Sequence, residues 1–280
     1  MSSVIWFLVF VVGFLMLAYH RASLLTATFA YGGALLAYAA FGGASLPWLI
    51  VLWAVLGVLV MILMHHVLSE SHDVRNTQAA TLPQVLGNYA ELLRDRQFIA
   101  YSLIIGFAMA SMFCYVTGAP LVITANYGLT PQQFGALIGL NGFAFLTASI
   151  LNMRALRTIG PAQLLARYIW GAPLLGATLL VLSLLLELPL WAIVGLQLPF
   201  FLCVGRVSPN VSALALVPHG HRAGTASALL GATQSALTTL GGLAVALFND
   251  GTVRTLAAIM TGGAMLALLS YLLVIRTSRP

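Results

Sequence analysis

The sequence predicts an all-α integral membrane protein, and three observations support that prediction. Of the 280 residues, 61% are hydrophobic and only 6% are charged, whereas a soluble domain carries roughly 25% charged residues. The mean hydropathy is +1.00. The apolar residues also fall into stretches of about 20, the length of a helix that crosses the hydrocarbon core of a bilayer. We therefore expect most of the chain to lie in the lipid bilayer.

The chain divides into nine predicted spans on that length criterion. The first segment lacks the basic start and the cleavage site of a signal peptide, so we expect it to be retained. Three spans precede a polar stretch, near residues 3–19, 23–41 and 46–64. Six follow it, near residues 98–124, 132–153, 163–186, 190–214, 224–248 and 254–275.

The basic residues are twelve arginines, and the net charge is +6. If nine helices alternate in direction, every arginine falls on one side of the membrane except Arg206, inside a span, and Arg254, on the other side. The excess of positive charge marks the cytoplasmic side. We therefore expect the N-terminus outside and the C-terminus in the cytoplasm. Membrane topology accounts for the charge, so it does not indicate a nucleic-acid partner.

The polar stretch suggests a division into three parts. Residues 1–65 hold two or three transmembrane helices, residues 66–97 form a cytoplasmic linker, and residues 98–280 form a six-helix bundle. The linker contains four of the six acidic residues. Its second half has apolar residues at helical spacing, which predicts an interfacial amphipathic helix: Val85, Leu86, Tyr89, Leu92 and Leu93.

Arg206 lies a few residues past the centre of its predicted span in the bundle. A charge in a membrane segment is costly and so suggests a functional role. All six acids lie outside the predicted spans, so Arg206 has no ion-pair partner there. Two interpretations stay open. Its side chain extends to the inner surface, or it faces a water-filled cavity and contacts backbone carbonyls or Asn210.

Two further segments are candidates for lining a substrate cavity or for forming a gate. In FCYVTGAPLVI, Pro120 frees the carbonyl of Val116 and kinks the helix, and such a break can line a cavity in which Tyr115 stacks on an aromatic substrate. A kink that serves packing alone is the alternative. After the fifth span, Arg154 and Arg157 form a basic turn, which either sets topology or binds helix C-termini as a gate.

Enzyme chemistry is not indicated. His219 and His221 flank Gly220, but no cysteine or carboxylate stands at the spacing of a zinc site. Nucleophile elbow, P-loop and dinucleotide-binding motifs are absent from the sequence. We expect no catalytic residues, no metal and no cofactor.

Five stretches carry a resemblance to a known family: LLRDRQFIAYSLIIGF, FCYVTGAPLVI, YGLTPQQFGALIGLNG, NMRALRTIGPAQLLAR and SPNVSALALVPHGHRAGTASALLGATQ. They resemble the C-terminal six-helix half of a major facilitator superfamily (MFS) transporter, and more narrowly the bicyclomycin and chloramphenicol resistance (Bcr/CflA) branch of drug:proton antiporters. The last stretch is the most specific, because its Pro-Asn step, its P-x-G-H-R-A-G loop and its small-residue helix occur in the family's order and spacing. The resemblance covers about 200 of the 280 residues.

This resemblance implies export of small amphiphilic compounds across the bacterial inner membrane. We also expect cytoplasmic gate loops at Arg154, Arg157, His221 and Arg222. The resemblance further implies seven positions that face the substrate cavity or gate it: Tyr115, Pro120, Phe134, Asn141, Arg206, Asn210 and Gln234.

The chain departs from the family before its linker. A complete member has twelve helices in two halves with the substrate site between them, whereas at most three helices precede the linker here. We therefore expect a truncated or split transporter that needs a second bundle, from another copy or a separate chain. The segment AYHRASLLTATFAYGGALLAYAAFGG also resembles the membrane anchor of large bacterial fatty acyl-CoA dehydrogenases. A non-transporting membrane module or an inactive remnant therefore stays open as the alternative.

Overall fold

The computed structural model describes residues 82–277, and within them the side chains of residues 86–273 apart from His221. The described residues belong to one unit, Ala80–Pro280. The three spans predicted before residue 65 and the first part of the predicted linker lie outside the described residues. Over the described range, all regular structure is helical.

Eight α-helices and one 3₁₀ helix follow one another. They are α1 (Leu82–Arg94), α2 (Arg96–Tyr127), α3 (Pro131–Ala155), α4 (Pro161–Tyr168), α5 (Gly171–Leu185), α6 (Leu190–Leu216), the 3₁₀ helix (Val217–Arg222), α7 (Ala223–Phe248) and α8 (Val253–Thr277). Six segments are long and apolar enough to cross a membrane, with α4 and α5 together forming one of them. The prediction of an all-α membrane protein is confirmed, and the chain crosses the membrane several times.

One span contains a break in its helix. The span predicted near 163–186 corresponds to the single segment Pro161–Leu185, within which α4 ends at Tyr168 and α5 begins at Gly171. Pro173 supplies the physical reason. It has no N–H to donate to the carbonyl of Ile169, four residues earlier, and its ring crowds that carbonyl. By contrast, α2 continues through Pro120, and α6 continues through Pro199 and Pro209.

Local capping signals determine where the first helices of the bundle begin and end. Asp95 separates α1 from α2, and its carboxylate accepts hydrogen bonds from the backbone N–H groups of Gln97 (2.9 Å) and Phe98 (3.1 Å). The α2 helix ends at Gly128, whose φ of 62° suits a residue without a side chain. A capping box between Thr130 and Gln133 then starts α3.

The long α2 helix lies at the centre of the bundle and packs against α7, α8 and α6. Small residues permit these close contacts. A Cβ atom on Gly263 of α8 would lie 3.2 Å from the Cα of Ser111 on α2, and one on Gly205 of α6 would lie 2.9 Å from the carbonyl oxygen of Phe145 on α3. Most of the surface of α3 and α7 stays exposed.

The bundle has two distinct ends. The arginine end carries Arg94, Arg96, Arg154, Arg157, Arg167 and Arg222, and the opposite end carries Glu187, Asp250 and Arg254. Hydrogen bonds to backbone carbonyls join the helices at the opposite end. They run from the Tyr127 hydroxyl to Leu188 (2.5 Å), from the Asn126 amide to Gly251 (2.8 Å) and from the Arg254 guanidinium to Ser183 (2.8 Å).

Candidate functional site

Tyr115 lies in the middle of α2, where that helix meets α3 and α6. Its side chain is 1% exposed, and its ring packs edge-on against Phe201 of α6, with the ring centroids 5.9 Å apart and the planes at 80°. Asn141 of α3 lies beside the Tyr115 hydroxyl and is equally buried. The structure thus brings together two of the seven positions that the resemblance implied.

Gln197 is a buried amide that the sequence analysis missed. It is 1% exposed and lies one helical turn before Phe201, on the same face of α6. Both of its amide atoms lack a hydrogen-bond partner, as do both amide atoms of Asn141 and the hydroxyl of Tyr115. Asn141 is within reach of Tyr115, but the two groups do not form a well-aligned hydrogen bond. The signal available in the sequence was the single amide in the otherwise apolar stretch 190–204.

Nearer the arginine end, α3 and α6 are joined by hydrogen bonds. The Asn210 amide donates to the amide oxygen of Asn152 at 2.7 Å, in a contact that is fully buried. Pro209 has no N–H and leaves the carbonyl of Gly205 without its helical donor. The Ser149 hydroxyl approaches that carbonyl at 3.5 Å. Together, these contacts form a polar seam between the two helices.

Arg206 has an aromatic partner. Its guanidinium carbon lies 4.4 Å from the ring centroid of Tyr168, and its Nη1 donates a hydrogen bond to the Tyr168 hydroxyl. Tyr168 is the last residue of α4 and follows Arg167 at the arginine end. The Arg206 side chain therefore contacts α4. The role of Arg206 in a cavity or gate stays a prediction.

No described hydrogen bond or ring contact joins Tyr115 to the other implied cavity positions. Phe134 is half-buried near the start of α3 and packs against the apolar core. Pro120 is half-buried within α2, about two turns before Gly128. Gln234 is half-buried on α7, between the exposed residues Ala232 and Ser235. Their assignment to a cavity stays a prediction.

An ion pair and a histidine–carboxylate contact join the 3₁₀ helix to the start of the bundle. Arg222 contacts Glu91 of α1. His219, which looked like an ordinary loop histidine in the sequence, is 6% exposed, and its Nε2 lies 3.2 Å from the carboxylate of Asp95. Its ring also packs edge-on against Phe98 at 5.3 Å.

Arg154 and Arg157 form no comparable contacts with the described residues. Arg154 and Arg157 are exposed around the end of α3. The side chain of His221, the fourth predicted gate residue, lies outside the described residues. The gate assignment as a whole stays a prediction, although Arg222 lies at the base of a defined loop.

Comparison with known proteins gives the family relationship. The chain is 30% identical over 217 residues to the uncharacterized MFS-type transporter YdgK of Bacillus subtilis, covering 78% of this chain and 54% of that protein. It is 26% identical over 219 residues to a bicyclomycin resistance protein homolog of Haemophilus influenzae, with the same coverage. It is also 25% identical over 201 residues to the multidrug transporter MdfA of Edwardsiella ictaluri, covering 70% of this chain and 48% of that protein.

This chain is a relative of the MFS-type transporters. The resemblance found in the sequence is thus confirmed, including its link to drug-efflux proteins. No protein-family model matches the chain. The chain spans about half the length of the curated relatives it matches.

As a relative of MFS-type transporters, the chain falls in a class that in general does not consist of enzymes. Among the residues the structure describes, no group of three His, Cys, Asp or Glu side chains could hold a metal ion. The four acids of this region, Glu91, Asp95, Glu187 and Asp250, all lie outside its six candidate spans. The bundle interior between residues 96 and 273 is therefore polar only through neutral groups and Arg206.

Proposed function

We propose that this chain forms one bundle of an MFS-type drug-efflux transporter that exports small amphiphilic compounds across the bacterial inner membrane. The observation that carries the proposal is the 30% identity to an MFS-type transporter over 217 residues. Two other relatives are named for bicyclomycin resistance and for multidrug transport. These names belong to those proteins, and they support the substrate class proposed here.

The exposed faces of α3 and α7 support a cavity shared with a second bundle. Both helices are apolar enough to cross the membrane, yet most of their surface is free of contacts within the described unit. The exposed residues of α7 are small or polar as far as Thr239, Ser235 among them, and include large apolar side chains such as Leu243 and Leu247 beyond it. In MFS transporters the substrate site lies between two bundles. We propose that another copy or a separate chain supplies the second bundle.

The charge distribution supports an orientation. The arginine end of the bundle carries six basic residues against Glu91 and Asp95, and the positive-inside rule places such an end in the cytoplasm. The Glu187 and Asp250 loops then face outward. In this arrangement the contacts of Arg222 with Glu91 and of His219 with Asp95 lie on the cytoplasmic side, where they hold the α6–α7 connection against α1 and α2.

Proton coupling is not expected from this bundle on its own. The described spans contain no carboxylate that could take up and release a proton within the membrane. Coupling in the assembled transporter would then depend on groups from the second bundle. Substrate-driven proton release by the purified chain would contradict this.

Drug accumulation in a pump-deficient bacterium tests the proposal. The full chain is expressed, its presence in the membrane is verified by immunoblot, and accumulation is measured with and without a protonophore. Export by the chain supports the transporter. Accumulation equal to that of the empty vector, with the protein present, would support a non-transporting module or an inactive remnant.

A matched pair of variants shows whether the candidate site is used. Tyr115→Phe removes one hydroxyl from the candidate site. Tyr271→Phe removes a hydroxyl from a buried tyrosine of α8, away from the described contacts of Tyr115. We expect accumulation to change in the first variant and not in the second, at equal abundance. A change in abundance alone would indicate a structural role for Tyr115.

A further inference from the structure

The turn between α3 and α4 carries three arginines that stand far from any acidic residue along the chain. Arg154 lies in the last turn of α3, Arg157 lies in the connecting turn, and Arg167 lies in the last turn of α4. All three side chains are exposed. The sequence contains no aspartate or glutamate between Asp95 and Glu187. We refer to the three residues as the α3–α4 arginine cluster.

Other arginines of the described chain have partners within it. Arg222 contacts Glu91, Arg206 stacks on Tyr168, and Arg254 donates a hydrogen bond to a backbone carbonyl of α5. By contrast, the α3–α4 arginine cluster forms no ion pair and no cation–π contact with the described residues. The three positive charges of the cluster are therefore available to a partner outside the described bundle.

Exposed apolar side chains lie beside these charges. Met153 is 61% exposed and directly precedes Arg154, and Leu156 is 40% exposed and directly precedes Arg157. Trp170, about one turn beyond the last arginine of the cluster, is 45% exposed. Both helices belong to candidate membrane spans, and tryptophan and arginine at the end of a span are typical of the level of the lipid headgroups. Lipid is therefore the partner that covers this surface.

The short α4 helix inclines the third arginine toward the other two. Leu164 and Leu165 are each 1% exposed and hold the helix to the bundle, whereas Gln163 and Arg167 are exposed and lie four residues apart on one side. Side chains on a helix lean toward its N-terminus, which for α4 is Pro161, just after the turn. The Arg167 side chain therefore leans toward the turn, along the apolar surface of the span.

The chemistry of the cluster selects an anionic phospholipid. A guanidinium group is always charged and binds phosphate oxygens through two parallel hydrogen bonds. Phosphatidylcholine balances its phosphate with a choline cation, whereas phosphatidylglycerol has no such cation and carries a net negative charge. Basic pockets between membrane helices bind anionic headgroups. Three arginines without acidic neighbours thus favour the anionic lipid.

We propose that the α3–α4 arginine cluster binds the phosphate headgroup of an anionic phospholipid, whose acyl chains lie on the exposed apolar side chains beside the cluster. The lipid belongs to the leaflet at the arginine end of the bundle. The inference goes beyond the proposed function, because it requires neither export nor a second bundle.

Lipid binding to the purified full chain tests the site. Phosphatidylglycerol is titrated into the protein in detergent, and native mass spectrometry measures the fraction of protein that carries one lipid. Phosphatidylcholine is the comparison. The test variant combines Arg154→Gln with Arg157→Gln, and Arg167→Gln is measured separately. The matched control combines Arg94→Gln with Arg96→Gln, which removes the same charge from two exposed arginines at the same end of the bundle.

We expect the wild-type chain to bind phosphatidylglycerol more tightly than phosphatidylcholine. The affinity for phosphatidylglycerol should fall about 5-fold for each arginine of the cluster that is removed, which corresponds to about 1 kcal/mol. The control should change the affinity much less, because Glu91 and Asp95 lie beside its two arginines in the chain. Melting temperatures close to that of the wild type would show that the exposed substitutions leave the fold intact.

Four results would overturn the site. Equal affinity of the wild-type chain for the two lipids would exclude recognition of the headgroup charge. Unchanged affinity in the cluster variants would show that the lipid binds elsewhere. An equal loss in the control would show that the net charge of the whole end attracts the lipid. Displacement of the lipid by inorganic phosphate would assign the cluster to a soluble phosphate compound. Each of these results leaves the proposed function standing, because drug accumulation tests export separately.

Discussion

Arg206 of α6 stacks on the ring of Tyr168 at the end of α4, 4.4 Å from the ring centroid, and donates a hydrogen bond to the Tyr168 hydroxyl. A cation over an aromatic face is stabilised by the negative potential of the ring, more so where water is scarce. The contact explains how a charge within an apolar span is accommodated without an acid. It also joins α6 to the short helix that precedes the break at Pro173.

Substitution of Tyr168 should therefore destabilise the bundle in two steps. Tyr168→Phe keeps the ring and removes the hydrogen bond from Arg206, with an expected loss of about 1–2 kcal/mol. Tyr168→Leu removes the ring as well and should cost about 1 kcal/mol more. Thermal unfolding in detergent measures both, with Tyr89→Phe on α1 as a control. Equal melting temperatures for Tyr168→Phe and Tyr168→Leu would argue against the cation–π contribution.

The buried pair of Asn152 and Asn210 should show strong coupling. Asn152→Leu or Asn210→Leu alone leaves one amide buried without this partner, at a cost of about 1–3 kcal/mol. The double variant removes both amides and should be less destabilised than the sum of the single variants. A double-mutant cycle by thermal unfolding gives the coupling energy, and for hydrogen bonds between membrane helices we expect about 0.5–1.5 kcal/mol. Additive losses would mean that the two amides stabilise the bundle independently.

Gly205 should tolerate no side chain. A Cβ at this position would lie 2.9 Å from both the Phe145 carbonyl oxygen and the Ala148 Cβ, so Gly205→Ala must push α3 away from α6. We expect a loss of about 1–3 kcal/mol, the usual cost of overpacking. Gly195 on the same helix has no atom within 4 Å of the corresponding position. Gly195→Ala is thus the matched control, and it should be neutral or gain up to about 1 kcal/mol. A stable Gly205→Ala protein would show that the two helices separate at little cost.

Asp250 should make the stability depend on acid pH. The Thr252 hydroxyl donates to its carboxylate at 2.6 Å, and this bond, with further help from Thr255 and the Thr252 N–H, lowers the pKa of Asp250 from 3.8 to about 2. Because the folded pKa is depressed, the stabilisation is present above pH 4 and is lost as the pH falls toward 2.

Asp250→Ala should accordingly lower the melting temperature at pH 7, and the difference from wild type should shrink between pH 4 and pH 2. Glu187→Ala is the control at the same end of the bundle, because the Glu187 carboxylate accepts no hydrogen bond in the described part of the chain. Melting curves from pH 7 to pH 2 provide the measurement. A difference that stays constant over this range would show that the ionised carboxylate is not what stabilises the turn.

Much of the secondary structure could be predicted from the sequence. The six described spans follow from the length of apolar stretches, and their ends follow from local chemistry, such as Thr130 and Pro131 before α3 and Asp95 before α2. The break between α4 and α5 follows from Pro173, although the apolar stretch around it concealed the signal. These features are local, since each depends on residues within a few positions of one another.

The candidate site could be predicted only in part. The resemblance named Tyr115 and Asn141, and the structure places them side by side, although their role in a cavity stays a prediction. Gln197 was not predicted, because a neutral amide in an apolar stretch gives little signal of its own. The contact of His219 was not predicted either, because its partner, Asp95, lies at the start of α2, far away in the chain.

The amino-acid sequence by itself determined that this protein is a bundle of membrane helices and where those helices begin and end, because hydrophobic length and capping act locally. The tertiary structure alone decided which side chains meet. Tyr168 and Arg206 are 38 residues apart, and Asn152 and Asn210 are 58 residues apart. Their contacts depend on how each helix is rotated about its axis. Spans that are apolar on all sides carry little periodic signal of that rotation, and close packing between particular small residues sets it instead.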